Sequence, residues 1–409
     1  MGYSGWSGGT RAEVEVGSAH GRGREMVFCA TLLVVLVGIG IIGYSIASND
    51  AGIPASSGFS NYSCAAAGAA ETQHVFQIDQ SLARPGLDST QVIQRAVDSA
   101  SDDGGGRVEL PSGTFTIDGH IVMKTNVELS GVGPATVIKA GPKFLGSQGP
   151  DGGYPVITTS GASNVTVANL TADQSGDVLN GNSNPSERFS AYLIDVRNSH
   201  NAVVSGVFTR NPFTYSIAVV GSSDFCVTHC NTRVATSGRY DGLDGIHVLD
   251  SNTGQVIGNY VDQRIGMDGD DGLVAHTINA LVFDVLYAEN TVRGGAGGDG
   301  MQIAVGNYPV FDITIRDNNF WGSPFGIRTG YWNPGPNGSV TGVTISGNYI
   351  HDLVPGKAFP EGGNAIDIGG FGAMAPVTNI TVTRNTVCHA GVIIVVPGKG
   401  NIVAENRIC

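Results

Sequence analysis

Short apolar runs, each introduced by a small or turn-forming residue, recur along the second half of the chain. Aligned on the run they read Ser190-Ala191-Tyr192-Leu193-Ile194, Tyr215-Ser216-Ile217-Ala218-Val219, Asp244-Gly245-Ile246-His247-Val248, Asp271-Gly272-Leu273-Val274-Ala275, Asp299-Gly300-Met301-Gln302-Ile303, Phe325-Gly326-Ile327-Arg328-Thr329, Asn364-Ala365-Ile366-Asp367-Ile368 and Ala390-Gly391-Val392-Ile393-Ile394. A second series interleaves with the first: β-rich segments that close on an asparagine and then an apolar residue, at Asn169, Asn231, Asn259, Asn290, Asn319, Asn348, Asn385 and Asn406. The steps from Asn231 to Asn259, Asn290, Asn319 and Asn348 are 28, 31, 29 and 29 residues. A period in this range, built of strands too short to bury a face alone, is that of a solenoid whose coils pack on their neighbours. Helical periodicity is nearly absent from these coils, so the predicted fold is all-β, a parallel β-helix.

That fold turns alignment into stacking, because equivalent residues of successive coils lie about 4.7–4.9 Å apart. Asp244, Asp271 and Asp299 should form one row of carboxylates, with Asp270 beside the second rung. Alternation of side chains along a strand puts His247, Gln302 and Arg328 on the outer face next to that row, and His276 one outward step further. Stacked carboxylates repel one another, which raises the pKa of a member. Asp-Gly also serves turns for conformational reasons, so a single copy would mean little. A solvated acidic ladder, or a calcium site with Asp241, Asp268 and Asp299 as ligands, is the competing reading.

The ends of the chain have other patterns. Residues 1–25 are polar and Gly/Ser-rich and read as a disordered tail. Met26 to Ala47 is 22 residues without a charge, long enough to cross a bilayer. Arg22 and Arg24 precede it and Asp50 follows it, which places the tail in the cytoplasm and the bulk of the chain outside, in a single-pass cell-membrane topology. Ser45 and Ala47 would instead make it a cleaved signal and the protein secreted. Residues 48–70 read as a stalk and 71–409 as the β-helix domain. Between Asp88 and Ser101 the spacing of Val92, Ile93, Ala96 and Val97 predicts a helix capped by Ser89 or Thr90, suited to covering the open N-terminal end of the solenoid.

Composition agrees with many tight turns around an aliphatic stack: 61 Gly, 7% aromatic and 14% charged residues. A net charge of −13, with no basic patch, excludes a nucleic-acid partner. No phosphate-binding loop and no zinc-type Cys/His cluster is present, and no cofactor is implied beyond the calcium alternative. Cysteine usage suits an exterior location. Cys388 and Cys409 each follow a series asparagine by three residues, one coil apart, which predicts a Cys388–Cys409 disulfide. Cys226 and Cys230 are too far apart on one strand to pair with each other, and a buried free thiol is the simpler reading of them.

Two stretches resemble known families. The run DSTQVIQRAVDSASDDGGGRVELPSGTFTI, within Gln77 to Leu145, is similar to the N-terminal part of pectate-lyase-superfamily proteins, which implies a right-handed parallel β-helix. Asp244-Gly245-Ile246-His247 followed by Gly269-Asp270-Asp271 resembles the core of β-helical glycoside hydrolases, the clan of polygalacturonases, dextranases and α-1,3-glucanases. The resemblance implies an inverting hydrolase with Asp270 as general acid and Asp244 and Asp271 holding and activating water. The chain departs from the polygalacturonase pattern where Gly-His-Gly becomes Gly298-Asp299-Gly300 and Arg-x-Lys becomes Arg328-Thr329-Gly330. The missing cations would hold a uronate carboxylate. The segments GDDGLVAHT, ENTVRGG and GDGMQIAVGN are more similar to the α-1,3-glucanase family, which implies a neutral α-glucan-like polymer.

Within that reading His247, His276, Asp299, Gln302, Arg328, Tyr331 and Trp332 are candidate substrate-binding residues, the aromatic pair with Trp321 as a sugar-stacking platform. Two other functions stay open: a calcium-dependent polyuronate lyase or epimerase with Arg328 as base, and a non-catalytic glycan-binding or adhesin β-helix.

Overall fold

Each coil contributes one strand to each of three sheets, and every strand pairs in parallel with its counterpart one coil away. The computed structural model describes residue 64 and residues 74–84, 86–179, 192–233, 242–263, 269–331, 337–356, 359–369, 376–395 and 397–409. Among them the sheets hold 14, 10 and 11 strands. The tail, the apolar segment 26–47 and all of residues 48–70 except Cys64 lie outside the described residues. No helix among those described is long and apolar enough to cross a membrane.

The apolar residue after each small residue, Gly, Ser or Ala, turns inward, as the repeat alignment requires. Ile217, Ile246, Leu273, Met301, Ile327 and Ile366 stack one per coil and none has exposed surface. Burying side chains of this size is worth roughly 1.5–3 kcal/mol each, which no single short strand could collect by itself.

The helix forms at Thr90–Asp102 and buries Ile93, Val97 and Ala100. Its cap differs from the expectation. Ser89 stands at the N-cap position without a side-chain bond, and Asp88 instead accepts from the Thr90 N–H at 2.9 Å. From the helix, Gln94 donates to the Val122 carbonyl and accepts from the Val122 N–H at 2.9 and 2.8 Å. Ile121–Val122 is the end strand of the ten-stranded sheet, so an amide side chain occupies an edge that would otherwise be free to pair with another chain.

The asparagine series is a hydrogen-bonded ladder, with a corrected register. Asn259, Asn290, Asn318, Asn348, Asn385 and Asn406 stack, each amide donating at 2.9 Å to the side-chain oxygen of the next. Asn318 fills the rung assigned to Asn319, which begins the following strand, Asn319–Trp321. Cys230 rather than Asn231 fills the rung before Asn259, its N–H donating to the Asn259 side chain at 2.9 Å. Neighbouring asparagines in Asn318-Asn319, and a cysteine beside Asn231, shifted the alignment by one residue.

Cys388 and Cys409 are joined, with Cα atoms 4.8 Å apart. Cys226 is bonded to Cys64, Cα to Cα 5.6 Å, across 162 residues of sequence. The pairing fastens the Ser/Gly/Ala-rich segment to the solenoid at Cys64, and a separation of that length leaves no local spacing from which to read it. Cys230 is the free, buried thiol among the described cysteines.

Candidate active site

The row of aspartates lies at the start of successive strands of the ten-stranded sheet, Ile246–Leu249, Leu273–His276 and Asp299–Val305. The Gly245 N–H donates to the Asp271 carbonyl, and the Gly272 N–H to that of Asp299, both at 2.9 Å. The side chains follow the same order. Asp244 Oδ1 accepts from the Asp271 N–H at 3.1 Å, and Asp271 Oδ1 accepts from the Asp299 N–H at 2.7 Å. Asp270 stands beside the row, and oxygens of Asp244, Asp270 and Asp271 lie within 4.8 Å of one another. Asp244 is 3% exposed and Asp271 5%, whereas Asp270 is only half-buried.

A glycine-rich segment makes this cluster fit. Gly295 and Gly297 donate to the carbonyls of Asp270 and Gly269 at 2.9 Å, anchoring the turn that carries Asp270. A Cβ on Gly298 would run into the carboxylates of both Asp270 and Asp271. The run Gly294-Gly295-Ala296-Gly297-Gly298 is a part of the site that the repeat alignment missed, and its density of glycine was the available signal.

Burial pushes Asp244 up to about 8, opposed by the bond from the Asp271 N–H and assisted by the charge of Asp299. Asp271 is driven well above the ordinary carboxyl range, first by burial and then by Asp270, Asp299 and Asp244. The cluster therefore retains protons near neutral pH, as like charges in a dry site must.

Asp299, the third member of the row, has a different environment. It has no exposed surface, and both of its oxygens accept from Arg328 Nε at 3.0 and 2.8 Å. The guanidinium also lies 5.0 Å from the Phe325 ring and 4.9 Å from the Phe359 ring, which meet each other edge to face. Gln302 donates to Asp299 at 3.3 Å. A side chain on Gly330 would meet Gln302, whose amide atoms would lie 3.1–3.3 Å from its Cβ, so the missing lysine and the present glutamine are two sides of one arrangement.

The histidines point outward as alternation requires, yet both are buried. His247 is 3% and His276 9% exposed. His247 Nδ1 is 2.6 Å from Asp244 Oδ2, and its Nε2 is 3.1 Å from His276 Nδ1. Tyr215 stacks on His247 at 4.2 Å and Tyr192 on Tyr215 at 4.9 Å, nearly parallel in both cases. Burial holds His247 down to about 3 and His276 well below the usual imidazole value.

Of the remaining candidates, Asp241, Asp268 and Trp332 lie outside the described residues, as does the side chain of Tyr331. Trp321 stacks on His351, ring centroids 5.8 Å apart. Of the calcium candidates only Asp299 is described, and Arg328 binds both of its oxygens; Asp244, Asp270 and Asp271 have oxygens close enough together to share a cation.

No protein-family model and no curated protein sequence matches the chain. Solved structures do. An exopolygalacturonase from Thermotoga maritima superposes with a TM-score of 0.59 at 16% identity, covering 82% of this chain and 92% of that one. PfbA, a surface adhesin of Streptococcus pneumoniae, gives 0.62 at 16%, covering 80% and 82%. The tailspike protein of Escherichia coli bacteriophage HK620, as a double mutant, gives 0.58 at 18%, covering 79% and 57%. At such identities the likeness is one of fold: the chain is a right-handed parallel β-helix.

Proposed function

We propose that the protein hydrolyses glycosidic bonds of a polysaccharide, with Asp270 as general acid and Asp244 and Asp271 as the pair that holds and activates water. The observation that carries this reading is the cluster of three carboxylates within 4.8 Å, two buried and the third half-buried. One carboxyl must be protonated and another ionised at the working pH; burial raises Asp244 and Asp271, so the water-activating member must ionise against that shift and activity should rise with pH. The likeness to an exopolygalacturonase, and to the tailspike, which has been seen in complex with a pentasaccharide, supports a glycan substrate.

A neutral, α-glucan-like polymer is the proposed substrate class. Arg328 is bound to Asp299 through both carboxylate oxygens, and a glycine stands where a second cation would be needed for a uronate. Inversion is the proposed outcome. Carboxylates about 5 Å apart are the usual mark of retaining enzymes, so the anomer first released decides this point.

The test incubates the protein with neutral α-glucans and polyuronates, with and without chelator. It follows reducing ends, ultraviolet absorbance of unsaturated products and, by NMR, the anomer first released. Reducing ends without absorbance, lost in Asp270→Asn, are expected. Chelator-sensitive absorbance would overturn the reading in favour of the lyase. Binding without cleavage would favour the non-catalytic reading that the likeness to a surface adhesin supports.

We also propose that residues 26–47 anchor the protein with its β-helix outside the cell. The disulfides Cys64–Cys226 and Cys388–Cys409 support an oxidising location. Protease accessibility on intact cells tests it: a fully protected β-helix would exclude this topology.

A further inference from the structure

On the eleven-stranded sheet, away from the acidic groove, Ala172, Thr209, Thr232, Val261 and Val292 fill the core, so the residue after each of them faces outward. Six successive rungs of that outer row read Lys139, Asp173, Arg210, Arg233, Asp262 and Arg293. No run of basic residues marks this face in the sequence; the coil period assembles it from distant positions.

The row is layered by charge. The side chains of Asp173 and Asp262 keep only 9 and 11% of their surface, and each has a cation near it, Lys139 at 4.0 Å and Arg293 at 3.8 Å. Those cations keep 45 and 40%, and Arg210 and Arg233 are exposed. Solvent therefore meets a positive file, on a chain whose net charge is −13. Arg210 and Arg233 close adjacent strands, Phe208–Arg210 and Asn231–Arg233. Like charges on facing rungs repel, and neither arginine is ion-paired among the described residues. Arg233 is nonetheless held in place: its Nε donates to Asn231 Oδ1 at 3.1 Å, and its guanidinium lies 5.5 Å from the Tyr260 ring. Half-buried rings accompany the other cations, Phe208 two residues before Arg210 and Trp321 one rung beyond Arg293.

We propose that this face binds an acidic polysaccharide, a chain bearing carboxylate or sulfate groups, laid along the solenoid axis across Arg210 and Arg233. The guanidinium fork matches the paired oxygens of such groups, and the rings offer the apolar faces of sugars a surface. Rungs about 4.7–4.9 Å apart present cations in file, as a polymer presents its charges in file. A lipid surface would call for a broad basic patch. Here the file is narrow, with acidic Glu289 and Asp317 on the turns that precede the strands of Arg293 and Trp321. This partner is distinct from the proposed substrate: the acidic groove takes a neutral chain, and this face, on another sheet, takes an acidic one.

The test titrates the wild type and the double variant Arg210→Gln with Arg233→Gln against polygalacturonate and chondroitin sulfate, with neutral dextran as control, at low and high salt. The wild type should bind at least one acidic polymer and not dextran, more weakly as salt rises. The double variant should bind about 10-fold or more weakly, the scale of lost charged hydrogen bonds, and Tyr260→Ala about 3-fold more weakly. No binding of either acidic polymer at low salt, equal binding of dextran, or an unchanged double variant would overturn the proposal. Binding to phosphatidylserine vesicles but to neither polymer would overturn it in favour of a membrane surface. Both arginines are exposed, so the double variant should melt as the wild type does. If it melts lower, Arg210→Gln and Arg233→Gln are titrated singly: a loss of about 3-fold in each supports the site, and unchanged affinity in both overturns it. Binding is read without cleavage, so none of these outcomes depends on the hydrolase assignment.

Discussion

Two vertical stacks of similar polar residues run along this solenoid, one of asparagines and one of aspartates, and their energetics are opposite. In the asparagine ladder each side-chain oxygen receives two bonds from the next rung down, from the backbone N–H and the amide, while each amide also reaches a carbonyl, as Asn290 does to Val256 at 2.8 Å. An amide is donor and acceptor at once, so identical neighbours satisfy one another. A carboxylate only accepts. Its stack needs N–H groups, a cation or protons, and the rungs of the acidic row draw on them unequally: a histidine at Asp244, the Asp299 N–H at Asp271, a guanidinium at Asp299. The first stack stabilises the coil, and the second holds crowded carboxyls with shifted proton affinities, the condition that the proposed acid–base chemistry needs.

The largest effect expected from breaking this contrast is on activity. Asp270→Asn should lower kcat by about 10²–10⁴-fold, the range for loss of a general acid, while circular dichroism and melting stay as in the wild type. A melt that collapses would place Asp270 among the structural residues instead.

Next comes Asp299→Asn, which leaves Arg328 buried without its counter-ion. Breaking one side of a buried pair costs roughly 3–5 kcal/mol, read as a lower urea midpoint. Replacing both members by apolar residues should recover much of that loss, and a double variant as weak as the single one would contradict the ion-pair account.

Asp244→Asn sharpens the comparison through pH. The folded value of Asp244, about 8, lies above the ordinary carboxyl value near 3.9. Between those pH values the folded chain keeps a proton that the unfolded chain has released. Stability from this group is therefore complete below about pH 4 and lost as pH rises towards 8. His247, held down to about 3, acts on the other side: its contribution is present above about 6.5 and lost as pH falls. The asparagine variant removes the first dependence only, so its melting temperature should gain on the wild type steadily from pH 4 to 8. A constant difference would mean that Asp244 ionises normally.

The smallest effects test the ladder register. Asn290→Ala should cost about 1–3 kcal/mol, since it strands buried N–H and carbonyl partners. Asn319→Ala, one residue off the ladder, should cost no more than about 0.5 kcal/mol. Equal losses would restore the register read from sequence spacing.

Much of the architecture was legible because the period is short and the pattern redundant. Many aligned copies of an apolar run vote on the register of the inward face, and an error in one copy is outvoted. The helix over 90–102 was visible for the same reason, through several residues at helical spacing, while its cap was not, because Asp88, Ser89 and Thr90 are all competent and only the local backbone selects Asp88. The ladder slipped by one residue where Asn318-Asn319 offered two identical choices.

The candidate site divides along the same line. Repeat alignment by itself determined that Asp244, Asp271 and Asp299 share a row, that Asp270 adjoins it, and that Cys388 and Cys409 lie a rung apart, because stacking is the direct image of sequence period. Only the tertiary structure decided what each of these groups meets. That Arg328 neutralises Asp299, that His247 and His276 are buried in line with Asp244, that Gly298 makes room for two carboxylates and that Cys64 reaches Cys226 all depend on side chains and segments brought together across coils and around corners. Period specifies which residues stack. It carries no information on how deeply they are covered, and in a cluster of charges the depth of burial sets which groups hold protons.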